Sequence, residues 1–105
     1  MYKLVAIWSA PQARDIAAFE EAYLTSHRPK AVALPNLHDL ETIRIGEGLE
    51  GSAPGFYRVA VMRWADRAAF ERDEHTPEWQ ALRADAGAMI ARFGVTLSSA
   101  MGAES

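Results

Sequence analysis

Apolar residues in this chain recur first at every second position, then at every third or fourth. The order in which these two periods follow one another constrains the fold more than any other feature. Tyr2 to Trp8 is a short aromatic and branched run with little charge, and reads as a strand. After a loop from Ser9 to Arg14, Asp15 is placed to cap a helix in which Ile16, Phe19, Tyr23 and His27 share one face. Pro29 removes an amide donor and biases Arg28 away from helical angles, so this helix is expected to end near His27. His38 to Gly46 alternates as a second strand, Gly46 to Gly55 reads as a long loop, and Phe56 to Trp64 as a third strand. Asp66 can cap a short helix carrying Phe70. Thr76-Pro77 then starts a longer helix, with threonine at the cap and proline at the first helical position. Trp79, Leu82, Ala86, Ile90 and Phe93 form its apolar face, Gly94 supplies a left-handed stop, and Val95 to Met101 is a last strand.

The order β-α-β-β-α-β is the split-βαβ, or ferredoxin-like, pattern. It predicts an α+β sandwich in which a four-stranded antiparallel sheet carries both helices on one face. Residues 1–105 are enough for one domain around one core. The bare face of such a sheet should be polar at alternate positions. Here the first strand has Tyr2, Leu4, Ala6 and Trp8 on one side and Val5 and Ile7 on the other, and the third is apolar on both sides apart from Arg58 and Arg63. Something must cover the second face, and a symmetric copy is the simplest cover. A homodimer with its sheets packed face to face is expected.

Several function classes are excluded. The formal net charge is -3 and no run of Lys or Arg occurs, so there is no electrostatic footprint for nucleic acid. Cysteine is absent, which removes disulfides, thiolate metal sites and thiol catalysis. Apolar runs are a handful of residues long, far short of the roughly 20 that span a bilayer. The start of the chain shows neither a basic region nor a small-residue cleavage site, so a cytoplasmic location is expected. No two of His27, His38 and His75 have metal-ligand spacing on a helix or strand. The glycines between Gly46 and Gly55 are spread and open no helix, so no nucleotide cofactor is expected.

His27 is the sharpest site candidate. An imidazole on an apolar helix face can act as a general acid/base toward an enclosed ligand, or can simply bond the carbonyls of its own helix end. Tyr23, one turn earlier, can orient that ring or donate to a developing oxyanion; otherwise it is a core residue. Trp8, Trp64 and Trp79, with Tyr57 and Phe56, can wall a flat ligand or fill the core. Arg58 and Arg44 project from strands, where each can anchor a ligand carboxylate or pair with an acid across the sheet.

The run Tyr23 to Pro29 with Phe19, the Leu34-Pro35-Asn36-Leu37 segment, Phe70 and the Thr76-Pro77-Glu78 helix start together resemble the EthD-like family of the dimeric α+β barrel superfamily. The family usually has glycine where this chain has Asn36, and asparagine tolerates the left-handed angles a glycine turn uses. Arg28 and Lys30 depart from the small or apolar types expected there, and would set two positive charges near the mouth of any pocket. The resemblance implies a ferredoxin-like protomer, a dimeric barrel, and a cavity between helices and sheet in each protomer. It implies a cofactor-free enzyme acting on a lactone, polyketide or aromatic metabolite, as isomerase, cyclase, lyase or monooxygenase, with His27 and Tyr23 as catalytic residues. Trp8, Trp64, Trp79 and Arg58 would then bind substrate. A non-catalytic ligand carrier or accessory protein with the same pocket is the alternative.

Overall fold

Four strands pair antiparallel throughout, with the second strand of the chain at one edge followed by the third, the first and the fourth, and the helices cover one face of the resulting sheet. In this computed structural model, which describes residues 1–105, the elements are β1 (Tyr2–Trp8), α1 (Ile16–Ala22), a π-helical turn (Tyr23–His27), α2 (Arg28–Val32), β2 (Asp39–Arg44), β3 (Arg58–Trp64), α3 (Arg67–Asp73), α4 (Pro77–Phe93) and β4 (Leu97–Ala103). This is the expected α+β, ferredoxin-like sandwich. No helix is long and apolar enough to cross a membrane.

The caps of the second half form as local chemistry requires. Asp66 accepts from the Ala69 amide at 2.8 Å, and the Thr76 hydroxyl accepts from the Trp79 amide at 3.2 Å. Gly94 ends α4 at φ 65, an angle that costs a residue with a side chain but not glycine.

The first half differs from expectation at three places. Asp15 does not cap: its side chain bonds no helix amide, and a short 3-10 turn over Ala13–Asp15 leads into α1 instead. Pro29 does not end the helix. The Arg28 amide reaches back five residues to the Tyr23 carbonyl, and Arg28 itself stays helical at φ -57, ψ -45. That widened turn relieves the clash a proline ring has with the preceding turn, and puts Pro29 in the first turn of α2, where a missing donor matters least. Continuing as helix buries Ala31 and positions Leu34 for the core. Asn36 is not left-handed either; only Glu50, Gly51 and Gly94 have positive φ. Its side-chain amide instead donates to the Asp73 carboxylate at 2.8 Å, and its backbone N–H donates at 3.0 Å.

Alternate residues of β1 and β3 point toward the helices, and two core clusters form there. One holds Leu4, Leu34, Met62, Trp64 and Phe70; the other holds Trp8, Phe19, Tyr23, Ala86 and Phe93. On the opposite face, Val5 lies beside Val61 and Ile7 beside Val59, with Ile43 next in register. They form an apolar surface that nothing in the chain covers, bounded at one end by Arg63 bonded to Asp39 and Glu41.

Candidate functional site

Between the helices and the sheet lies a hollow of about 50 Å³, lined mainly by apolar side chains such as Leu4, Ala60, Met62 and Leu82. Trp8, Tyr23, His27 and Trp79 reach it from three directions: β1, the π turn and α4. Tyr23 and His27 share the inner face through their four-residue spacing, and the π turn between them lets the helix continue through Pro29. Such turns often mark functional positions.

His27 Nδ1 lies 2.8 Å from Asp85 Oδ2, with Asp85 projecting from α4. Burial holds the imidazole below its ordinary pKa, and the bond to Asp85 only partly opposes this. The ring is therefore neutral at pH 7, and a neutral ring facing a carboxylate carries its proton on Nδ1 and donates it. Its lone pair is then on Nε2, which bonds nothing in the chain. Trp8 packs edge-on against this ring at 5.3 Å, and the Tyr23 ring centre lies 5.7 Å away. Asp85 is held in turn by Lys30, 3.6 Å from its other oxygen, and Lys30 donates to Ser26 Oγ at 2.8 Å.

Tyr23 and Trp8 are each 1% exposed. Neither the Tyr23 hydroxyl nor the Trp8 indole N–H bonds a chain partner, yet no buried side-chain nitrogen or oxygen is left sealed without one. The little surface these residues keep is thus at their polar atoms, and both residues line the hollow. Burial raises the Tyr23 pKa, with Arg58 over its ring at 4.6 Å opposing, so the phenol is a neutral donor. His27, Tyr23 and Trp8 thus bring to the lining of one apolar hollow a basic nitrogen and two neutral donors that have no partner in the chain.

The other sequence candidates separate clearly. Trp79 lines the hollow; Trp64 and Arg58 do not. Trp64 is fully buried in the other core cluster, and its Nε1 donates to Asp73 at 2.8 Å. Arg58 is spent on Glu20, pairing through both Nε and Nη2. Glu20 also accepts from the Tyr57 hydroxyl at 2.9 Å, and Arg44 approaches it at 3.7 Å. Burial pushes the Glu20 pKa up, but these hydrogen bonds and charges outweigh it and the net direction is down. Lys30 turns toward Ser26 and Asp85, leaving Arg28 and Arg83 as the cations of the wall. Sequence reasoning missed Asp85 and Arg83. Both flank the apolar stripe of α4, and an acid set beside such a stripe is the signal that could have found Asp85.

No family model matches the chain. It is 29% identical, over 97 residues, to an uncharacterised 11.0 kDa protein from the thcB–thcC intergenic region of Rhodococcus erythropolis; the match spans 92% of this chain and 90% of that protein. An EthD family protein from Bacillus halodurans superimposes with a TM-score of 0.86 at 28% identity, covering 100% of this chain and 99% of the other. A cofactor-independent oxygenase from Streptomyces nogalater shares the fold, with a TM-score of 0.67 at 18% identity over 98% of this chain and 91% of its own.

Proposed function

For this EthD-like chain with a ferredoxin-like fold, we propose a cofactor-independent enzyme that moves one proton of a small, mainly apolar lactone, polyketide-type or aromatic metabolite. His27 is the acid/base and Tyr23 its donor partner. The observation that carries this reading is the His27 ring itself: one nitrogen is anchored to Asp85, the other has no partner in the chain, and the residue lines the hollow.

In the proposed step Nε2 takes a proton from a carbon or hydroxyl acidified by a neighbouring carbonyl or ring. The electron pair moves onto the substrate oxygen, which accepts from the Tyr23 hydroxyl and the Trp8 N–H. Asp85 stabilises the imidazolium that forms and fixes its orientation. Trp8 and Trp79 supply flat walls. Trp64 and Arg58 are not assigned to substrate. Re-protonation at another carbon is isomerisation. Where the carbon that lost the proton keeps a second hydrogen, addition of dioxygen to the carbanion and uptake of a proton give a hydroperoxide. Loss of that hydrogen with cleavage of the O–O bond then leaves one oxygen as a carbonyl and releases the other as water, which is monooxygenation, the class of the Streptomyces oxygenase.

A second reading, a non-catalytic ligand carrier, follows from the same hollow if His27 only hydrogen-bonds its guest. Deuterium incorporation from D2O into enolisable lactones and aryl ketones, followed by proton NMR, separates the two. Catalysed exchange that falls at least about 100-fold in His27→Gln, with ligand affinity kept, supports the enzyme. Exchange no faster than in buffer supports the carrier.

The apolar face bearing Val5, Ile7, Ile43, Val59 and Val61 is proposed to pack on the same face of a second copy, forming a cytoplasmic homodimer. Light scattering that finds a dimer at micromolar concentration, and a monomer in Val59→Lys, supports this. A wild-type monomer refutes it.

A further inference from the structure

The wall of the hollow contains two guanidinium groups, Arg28 and Arg83, and no carboxylate. This is unexpected in a chain whose acids outnumber its Lys and Arg residues 14 to 11. Neither arginine is in an ion pair. Arg28 makes a single long bond, from Nε to Thr42 Oγ1 at 3.4 Å, which leaves its terminal nitrogens free, and Arg83 bonds nothing. Asp85 leaves α4 on the opposite flank from Arg83 and is already shared by His27 and Lys30. Arg83 is exposed and Arg28 half-buried, so they sit where the apolar hollow meets solvent. Their charge reaches inward: Arg83 acts on His27, and Arg28 on Tyr23.

We propose that the ligand is an acid: a small aromatic or unsaturated carboxylate whose anionic end is held at the rim by Arg28 and Arg83 while its apolar body enters between Trp8 and Trp79. This rests on the reading of the hollow as a ligand site and adds the charge of the ligand to it. A guanidinium presents paired N–H donors that match the two oxygens of a carboxylate, and a half-desolvated one does so more strongly than an exposed one. Arg28 is therefore the main anchor, with Arg83 adding attraction that salt screens. Anchoring at the rim points the other end of the ligand inward, toward His27 Nε2 and the Tyr23 hydroxyl.

The test compares each acid with its own primary amide, which keeps shape and loses charge. Benzoate and benzamide, and cinnamate and cinnamamide, are titrated by calorimetry against the wild-type protein and against Arg28→Gln, Arg83→Gln and the double variant. The wild type should bind each acid at least about tenfold tighter than its amide, and the acid should weaken with added salt. Arg28→Gln should lose about tenfold for the acid and Arg83→Gln about threefold, with a smaller loss for the amide in each, so that the acid-to-amide ratio falls. A wild-type far-UV circular dichroism spectrum and urea midpoint show that the variants are folded. Equal binding of acid and amide, or a preference that survives in the double variant, overturns the inference and leaves the hollow as a ligand site. Failure of all four probes to bind at millimolar concentration, with no deuterium exchange in the D2O assay, sinks the ligand-site reading and this inference together.

Discussion

Trp8 and Trp64 stand on the same helix-facing side of neighbouring strands, near opposite ends of the sheet, and their indole nitrogens are treated differently. Around Trp64 every polar group is matched. Asp73, fully buried on α3, accepts from the Trp64 N–H and from both the backbone and side-chain amides of Asn36, so the Leu34-Pro35-Asn36-Leu37 turn is tied to the core. Around Trp8 three groups are left open: its own N–H, the Tyr23 hydroxyl and His27 Nε2. Both clusters are aromatic and each contains an aspartate. The difference is that one aspartate closes a network, whereas the other holds a single ring at one nitrogen and leaves its second free. Buried polar groups left unmatched are costly unless a ligand or water completes them. The closed cluster is read as framework and the open one as site.

The sharpest way to break that distinction is at the two aspartates. Asp73→Ala leaves the Trp64 N–H and the Asn36 amide sealed without an acceptor, and should destabilise the fold by about 3 kcal/mol in urea unfolding. Asp85→Asn sits at a half-buried position and can still accept from His27, so it should cost no more than about 1 kcal/mol while lowering proton-exchange activity. Comparable losses of stability at both would erase the contrast.

A finer comparison uses the tryptophans, where the same change removes the same volume. Trp64→Phe deletes a hydrogen bond to a buried carboxylate and Trp8→Phe deletes none, so the first should cost about 1–2 kcal/mol more. Tyr23→Phe belongs to the same series. Its hydroxyl has no chain partner, so stability should move by less than about 0.5 kcal/mol while exchange activity falls.

The closed and open clusters were not equally legible in the sequence. Thr76 before Pro77, Asp66 before a helix and Gly94 after one are local signals, and each behaves in the fold as its neighbours dictate. His27 and Tyr23 were found because they share a helical stripe with Phe19. What escaped depends on pairs far apart in the chain. Asp85 meets His27 across 58 positions, and Asp73 meets Asn36 across 37. Asn36 was therefore explained by a backbone angle when its amide was the reason. Arg58 was assigned to a ligand because a strand arginine has no visible partner until Glu20 of α1 comes to lie over it. Pro29 misled because its local penalty is relieved by a π turn, which continues the helix so that Ala31 can be buried.

The smallest expected effect is also the most direct report on the open cluster. Burial sets the His27 pKa below its ordinary value, which is near 6.5, while Asp85 pulls it up and Lys30 and Arg83 push it down. As pH falls through the ordinary value, the unfolded chain takes up this proton before the folded one does. The contribution of His27 to stability is therefore complete above that value, declines as pH drops from it toward the folded pKa, and levels off below. Because the shift leaves the ring neutral at pH 7, activity that needs a basic Nε2 should persist to lower pH than a free imidazole would allow. Carbon-detected NMR titration of the ring measures this directly. Asp85→Asn removes the attraction that opposes burial, so the His27 pKa should fall further, and His27→Gln should flatten the slope of stability against pH in that window. A ring that titrates at the free value even in Asp85→Asn, where no carboxylate offsets burial, would mean that water reaches it freely. The open cluster would then be ordinary solvent-exposed surface, without the enclosure that distinguishes it from the solvated end of any helix.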